Sequence, residues 1–218
     1  MRKPRLTDKA LWINGKLAHT YDCEGGSVTV HDSAFNALLV IDLLGDKELT
    51  ESDKADLLFR LVFAKPEEID ASNALSALDA VLWDMAGIDL LGTRETGYSG
   101  AQAFDWEEDA TRIKASLLMA YGLDWDDASR RLTFAELCDL LGMLVGAEGK
   151  TPFAEAVYYR TAQPPKFDGH NREYVDAWMA NRKRYRLTTE AAVSEERKRE
   201  DAMASAAFES LWKAAQNG

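Results

Sequence analysis

"FDWEEDATRIKASLLMAYGLDW", residues 104–125, is the stretch from which the rest of the chain is best read. Asp105 followed by Glu108 has the spacing of a capping box, with a carboxylate at the helix entry and a second acid three residues on. Trp106, Ala110, Ile113, Leu117 and Tyr121 then recur at intervals of three and four, which describes one face of an α-helix. Gly122 predicts its end, because glycine takes the left-handed φ of a helix stop at no steric cost. Asp124, Asp126 and Asp127 favour the positive end of a new helix. Tyr121, Gly122, Leu123 and Trp125 are therefore expected to form a structural corner between two helices.

The same grammar continues beyond the corner. Thr133 with Glu136 repeats the capping box and opens Phe134, Leu137, Leu141 and Leu144, again one face. Thr151-Pro152 is a cap followed by proline at the first helical position, where its missing N–H is no loss. The helix that follows, "FAEAVYYRTA", stops at Pro164-Pro165, and the chain from about 170 onward is charged and helix-prone.

The N-terminal part differs. In "LWINGKLAHTYD" two short arms flank Asn14-Gly15, the strongest local hairpin signal, since both residues accept positive φ. "SVTV" at 27–30 can add a third strand. Helices are expected from "SAFNALLVIDLLG", from Thr50-capped "TESDKADLLFRLVF", and from Ser72 through "SNALSALDAVLWDMAG", where Leu75, Leu78 and Leu82 share a side. The predicted fold is mainly α, with a small N-terminal β-hairpin or three-stranded β element. Residues 92–103, "GTRETGYSGAQA", hold three glycines and little that is apolar, so a boundary is expected there. The organisation read from the sequence is 1–91, hairpin plus helices; 92–104, a Gly-rich linker; 105–165, a helical core region; and 166–218, charged C-terminal helices able to protrude.

A formal charge of −11 opposes general binding to nucleic acid and favours solubility. No apolar run reaches the roughly 20 residues of a membrane span, and the N-terminus does not read as a secretory signal. With two dissimilar, distant cysteines, a cytoplasmic protein is expected.

Chemistry leaves little trace. His19 and His31 flank Cys23, which makes a Cys–His pair arithmetically possible, but no orienting motif accompanies it. His170 sits in the polar loop "FDGHNRE". "DWDD" lacks the glycine and distal glutamate of a calcium loop, and "GTRETGYSG" lacks the Lys-Ser/Thr of a phosphate loop. No catalytic residue, metal ligand or cofactor is assigned, and the protein is not expected to be an enzyme.

Two stretches suggest contacts instead. Residues 172–186 carry five basic residues against two acids, and residues 101–149 ten acids against four bases, so two copies could meet head to tail. In "AMASAAFESLWKAAQ", Met203, Ala207, Phe208, Leu211, Trp212 and Ala215 form one stripe. Burying Phe208 and Trp212 would contribute roughly 2–3 kcal/mol each. Phe208, Leu211 and Trp212 are the candidate partner-binding residues.

The second half also resembles a known family. Asp105 to Asp109, Ala115-Ser116-Leu117, Tyr121-Gly122-Leu123-Asp124-Trp125, Phe134 and Tyr159-Arg160 together resemble the tail-assembly chaperones of siphophages and prophages of Gram-positive hosts, encoded beside the tape-measure protein. The resemblance spans roughly residues 10–190, with "LWINGKLAHTYD" like the family's opening hairpin. Where the family tends to place two tryptophans, this chain has Thr133-Phe134. The resemblance implies a binding protein of the host cytoplasm whose partners are the tape-measure protein, the tail tube protein and further copies of itself. The alternatives are a structural tail or head–tail component, and a nucleic-acid-binding regulator using residues 182–186.

Overall fold

A computed structural model describes residues 8–23, 26–94, 102–146 and 151–189. Among these it contains three strands and eight helices: β1 Leu11–Ile13, β2 Lys16–Cys23, β3 Gly26–Val30, α1 Ala34–Gly45, α2 Glu51–Val62, α3 Ala74–Ala86, α4 Ala110–Tyr121, α5 Trp125–Arg131, α6 Phe134–Gly146, α7 Pro152–Thr161 and α8 Arg172–Tyr185. The fold is mainly α with a small antiparallel sheet at its N-terminal end. Two compact units are formed, Met1–Thr96 with Tyr121–Met143, and Gly97–Ala120 with Leu144–Gly218. Both are discontinuous in sequence, because long-range packing groups residues that lie far apart along the chain.

In the first unit the strands pair in the order β1-β2-β3. Asn14 at φ 52° and Gly15 at φ 74° make the tight turn that sets Leu11 opposite Ala18 and Ile13 opposite Lys16. β2 then pairs with β3, with His19 opposite Val30 and Tyr21 opposite Val28. The chain leaving α2 runs beside the end of β3: His31 N–H donates to Val62 O at 2.8 Å and Ala64 N–H to Thr29 O at 2.9 Å. Asn36, buried on α1, fastens this junction by donating to the carbonyls of His31 and Leu61 at 2.7 and 3.0 Å. Around it pack Val30, Ala37, Val40, Leu58, Val62 and Phe63, all essentially inaccessible.

The caps show why the helices start where they do. Thr133 and Glu136 form a complete box, with Thr133 N–H donating to Glu136 Oε2 at 2.8 Å and Glu136 N–H to Thr133 Oγ1 at 3.3 Å. Thr50 Oγ1 accepts from Asp53 N–H, and Thr151 Oγ1 from Ala154 N–H with Pro152 in the first turn. α3 departs from the sequence expectation. It begins at Ala74 with Asn73 at the cap, and Leu75 is 58% exposed while Leu78, Leu82 and Met85 face the core. Gly87 at φ 71° closes it, and the N–H groups of Gly87 and Ile88 cap the carbonyls of Trp83 and Leu82.

The second unit is built on α4, α7 and α8. Its core holds Ile113, Leu117, Phe153, Ala156, Val157, Trp178 and Leu187. Ser116, buried on α4, accepts the N–H of Phe153 at 3.0 Å. Phe104 packs edge-on against Phe153, and Tyr159 against Trp178, with centroids 5.4 and 5.8 Å apart.

Candidate functional site

The 121–125 corner lies in the first unit. Gly122 sits at φ 67°, and a side chain built there would meet nothing within 4 Å, so only the backbone conformation selects glycine. Asp124 caps α5 by accepting Asp126 N–H at 3.0 Å. The three acids of "DWDD" thus stand at a helix start, with Arg130 and Arg131 in its last turn. The Tyr121 hydroxyl donates to Leu140 O at 3.1 Å and joins the corner to α6, while Leu123 and Trp125 are half-buried. Phe208, Leu211 and Trp212 lie outside the described residues.

The histidines near Cys23 occupy different settings. His19 Nδ1 lies 2.9 Å from both Asp32 oxygens, and the Tyr21 hydroxyl donates to Asp32 Oδ2 at 2.9 Å. This buried cluster ties β2 to the turn before α1. It borders a cavity of about 160 Å3 that Asp84, Arg131, Thr133 and Glu136 also line. The hydroxyls on that wall, Tyr21 and Thr133, donate to carboxylates. His31 points Nδ1 at Leu17 O, and burial holds its pKa below the ordinary value. Burial, then Asp84 and Asp22, pushes the Cys23 thiol up, which disfavours the thiolate. His170 stays in an exposed loop organised by Asp168. Among the described residues no group of three or more His, Cys, Asp or Glu side chains is placed to hold a metal ion.

In the second unit the residues singled out by resemblance converge. Asp109, inaccessible at the entrance to α4, receives Arg160 of α7 through two contacts of 2.6 and 3.0 Å, and Arg112 at 2.6 Å. Arg160 also donates to the carbonyls of Ala103 and Tyr185 and so clamps the chain before α4 to the end of α8. Burial pushes the Asp109 pKa up, but hydrogen bonds from Arg160, the Asp105 backbone N–H and Arg112 outweigh it and hold the pKa below the ordinary value.

This geometry corrects the opening stretch. Asp105 accepts the N–H groups of Glu107 and Glu108, each at 2.9 Å, yet the return bond to Asp105 N–H comes from Asp109, one residue later than the box predicts. Glu108 is drawn away, because its Oε1 accepts the N–H groups of Thr188 and Thr189 and the Thr188 hydroxyl at 2.7–2.9 Å. A turn therefore precedes α4, which begins at Ala110.

The sequence reading also missed three buried carboxylates, Asp32, Asp79 and Asp109. The signal for Asp109 was its place four residues before Ile113, a charge on the apolar stripe. Asp79 falls likewise between Leu78 and Leu82 on α3; it accepts the N–H groups of Leu90 and Leu91 and pairs with Arg94 at 2.7 Å.

A mainly helical protein of two units, each with a buried aspartate held by an arginine, is what these residues build. The chain belongs to the Bacteriophage Gp15 protein family, whose model matches residues 13–187, from the end of β1 to just beyond α8. No curated protein and no solved structure gives a match. No helix among the described residues is long and apolar enough to cross a membrane.

Proposed function

We propose that this phage protein is a tail-assembly chaperone: it binds and solubilises the tape-measure protein and helps to recruit tail tube subunits, acting by binding and not by catalysis. Membership of a bacteriophage family over residues 13–187 carries the reading, together with the resemblance of residues 104–160 to tail-assembly chaperones. The physical character of the chain agrees with it. A client that stays long, helical and apolar until the tube encloses it needs a partner that offers apolar helix faces and remains dispersed. Here Leu118, Met119, Tyr174 and Met179 are exposed on helices, and the net charge is −11. Many modest contacts along one client add up without a deep pocket. The work would be done in the host cytoplasm, before the tail is complete.

Co-expression with the tape-measure protein encoded beside it tests the reading, with client solubility as the readout. A soluble client supports it. Mass spectrometry of purified virions should find this chain nearly absent; a stoichiometric amount there would assign it to the virion as a structural component.

A further inference from the structure

Two exposed faces of opposite charge, one on each unit, stand out among the described residues. At the end of α8, Arg182, Lys183 and Arg184 have no carboxylate within ion-pair distance among the described residues, and the pair recorded on that helix is Arg172 with Asp176. The guanidinium groups of Arg182 and Arg184 lie over the rings of Trp178 and Tyr185, 5.7 and 5.6 Å from the centroids, which steadies them. Met179, 48% exposed, stands one turn before Lys183. The helix dipole favours basic residues at such an end but does not call for three in succession.

The opposite character occupies the corner between α1 and α2. Residues 42–56 hold six acids against two bases. One of the bases, Lys54, is turned inward to Leu44 O and Glu51. Asp42, Glu48, Glu51 and Asp53 are exposed, and Leu39, 37% exposed, stands one turn before Asp42. Each face therefore sets an exposed apolar side chain beside its charges, with reversed sign.

We infer that the basic end of α8 in one copy docks on the acidic α1–α2 corner of a second copy. The contact joins different surfaces, so it repeats from copy to copy, as a ring where the rotation closes and as an open row where it does not. Such a row would suit the proposed coating of a long client, but the inference is read on the chain alone. Its failure would leave client binding standing.

Two charge-reversed variants of the full chain, Lys183→Glu/Arg184→Glu and Asp42→Lys/Glu48→Lys, test it by sedimentation velocity at about 150 mM salt, where only charges within about 8 Å interact strongly. Wild type should associate with rising concentration, each variant alone should do so at least about tenfold more weakly, and an equimolar mixture should recover association. The corner variant is the sharper case. It lowers the net negative charge, so general repulsion alone predicts tighter association where the contact predicts loss. Circular dichroism and the melting temperature confirm that each variant is folded; where one is not, Lys183→Gln/Arg184→Gln replaces it and should also weaken association. Wild type that stays monomeric to about 1 mM, or variants that associate as wild type does, would overturn the inference.

Discussion

Arg160 and Asp109, 51 residues apart, meet through two nitrogen–oxygen contacts at 2.6 and 3.0 Å, with side chains 7% and 0% exposed. The loop carbonyl of Ala103 and the carbonyl of Tyr185 at the end of α8 are also held by Arg160. A planar guanidinium is needed, because one end must match a carboxylate while its remaining N–H groups reach Ala103 and Tyr185. Arg160→Ala leaves a buried carboxylate short of its main partner and should destabilise the second unit by about 3–5 kcal/mol in urea unfolding. Arg160→Lys keeps the charge but loses the fork, and should recover only part of that.

Acid should act on the same pair. The Asp109 pKa is held below its ordinary value, so its contribution is complete above about pH 3.9, the unfolded value. That contribution is lost as pH falls through the depressed folded pKa. Asp79, buried but held down by Arg94 and the N–H groups of Leu91 and Leu90, behaves alike in the first unit. His31, held low by burial, adds a loss in the same direction that begins nearer pH 6.5. Stability measured from pH 7 to about pH 2 should fall in two stages, and Asp109→Asn should flatten the more acidic one.

Gly122→Val should destabilise by about 1–2 kcal/mol, and Gly122→Asn by less, since asparagine tolerates the left-handed region. Open space around the position means the cost comes from φ 67° and not from a clash. An unchanged melting temperature for Gly122→Val would remove the corner as a structural element.

The thiols should be sluggish. Burial, then Asp139, pushes the Cys138 pKa up to about 11, and burial raises Cys23 as well. Alkylation of Cys138 at pH 8 should run on the order of a hundredfold slower than that of a free cysteine, because only the thiolate reacts. Rapid labelling of Cys23 at neutral pH would revive a nucleophilic role for that residue.

Local signals were readable without the structure, as the Asn14-Gly15 hairpin, the Thr133–Glu136 box and the Thr151-Pro152 start demonstrate, because each is settled by neighbours a few residues away. What could not be read depends on distant partners. Glu108 fits a capping box perfectly well in sequence, yet Thr188 and Thr189, 80 and 81 residues on, claim its carboxylate and hand the return bond to Asp109. Leu75 fits the α3 stripe by spacing but stands in the first turn, where solvent reaches it. His19 on β2 and Asp32, 13 residues later in the turn before α1, are revealed as one cluster only by the pairing of β2 with β3.

The mass of a soluble complex between this chain and the tape-measure protein, measured by light scattering after co-expression, tests the central claim most directly. The account predicts a soluble particle with several copies of the chain on each client. A client that stays insoluble while this protein elutes alone would contradict it.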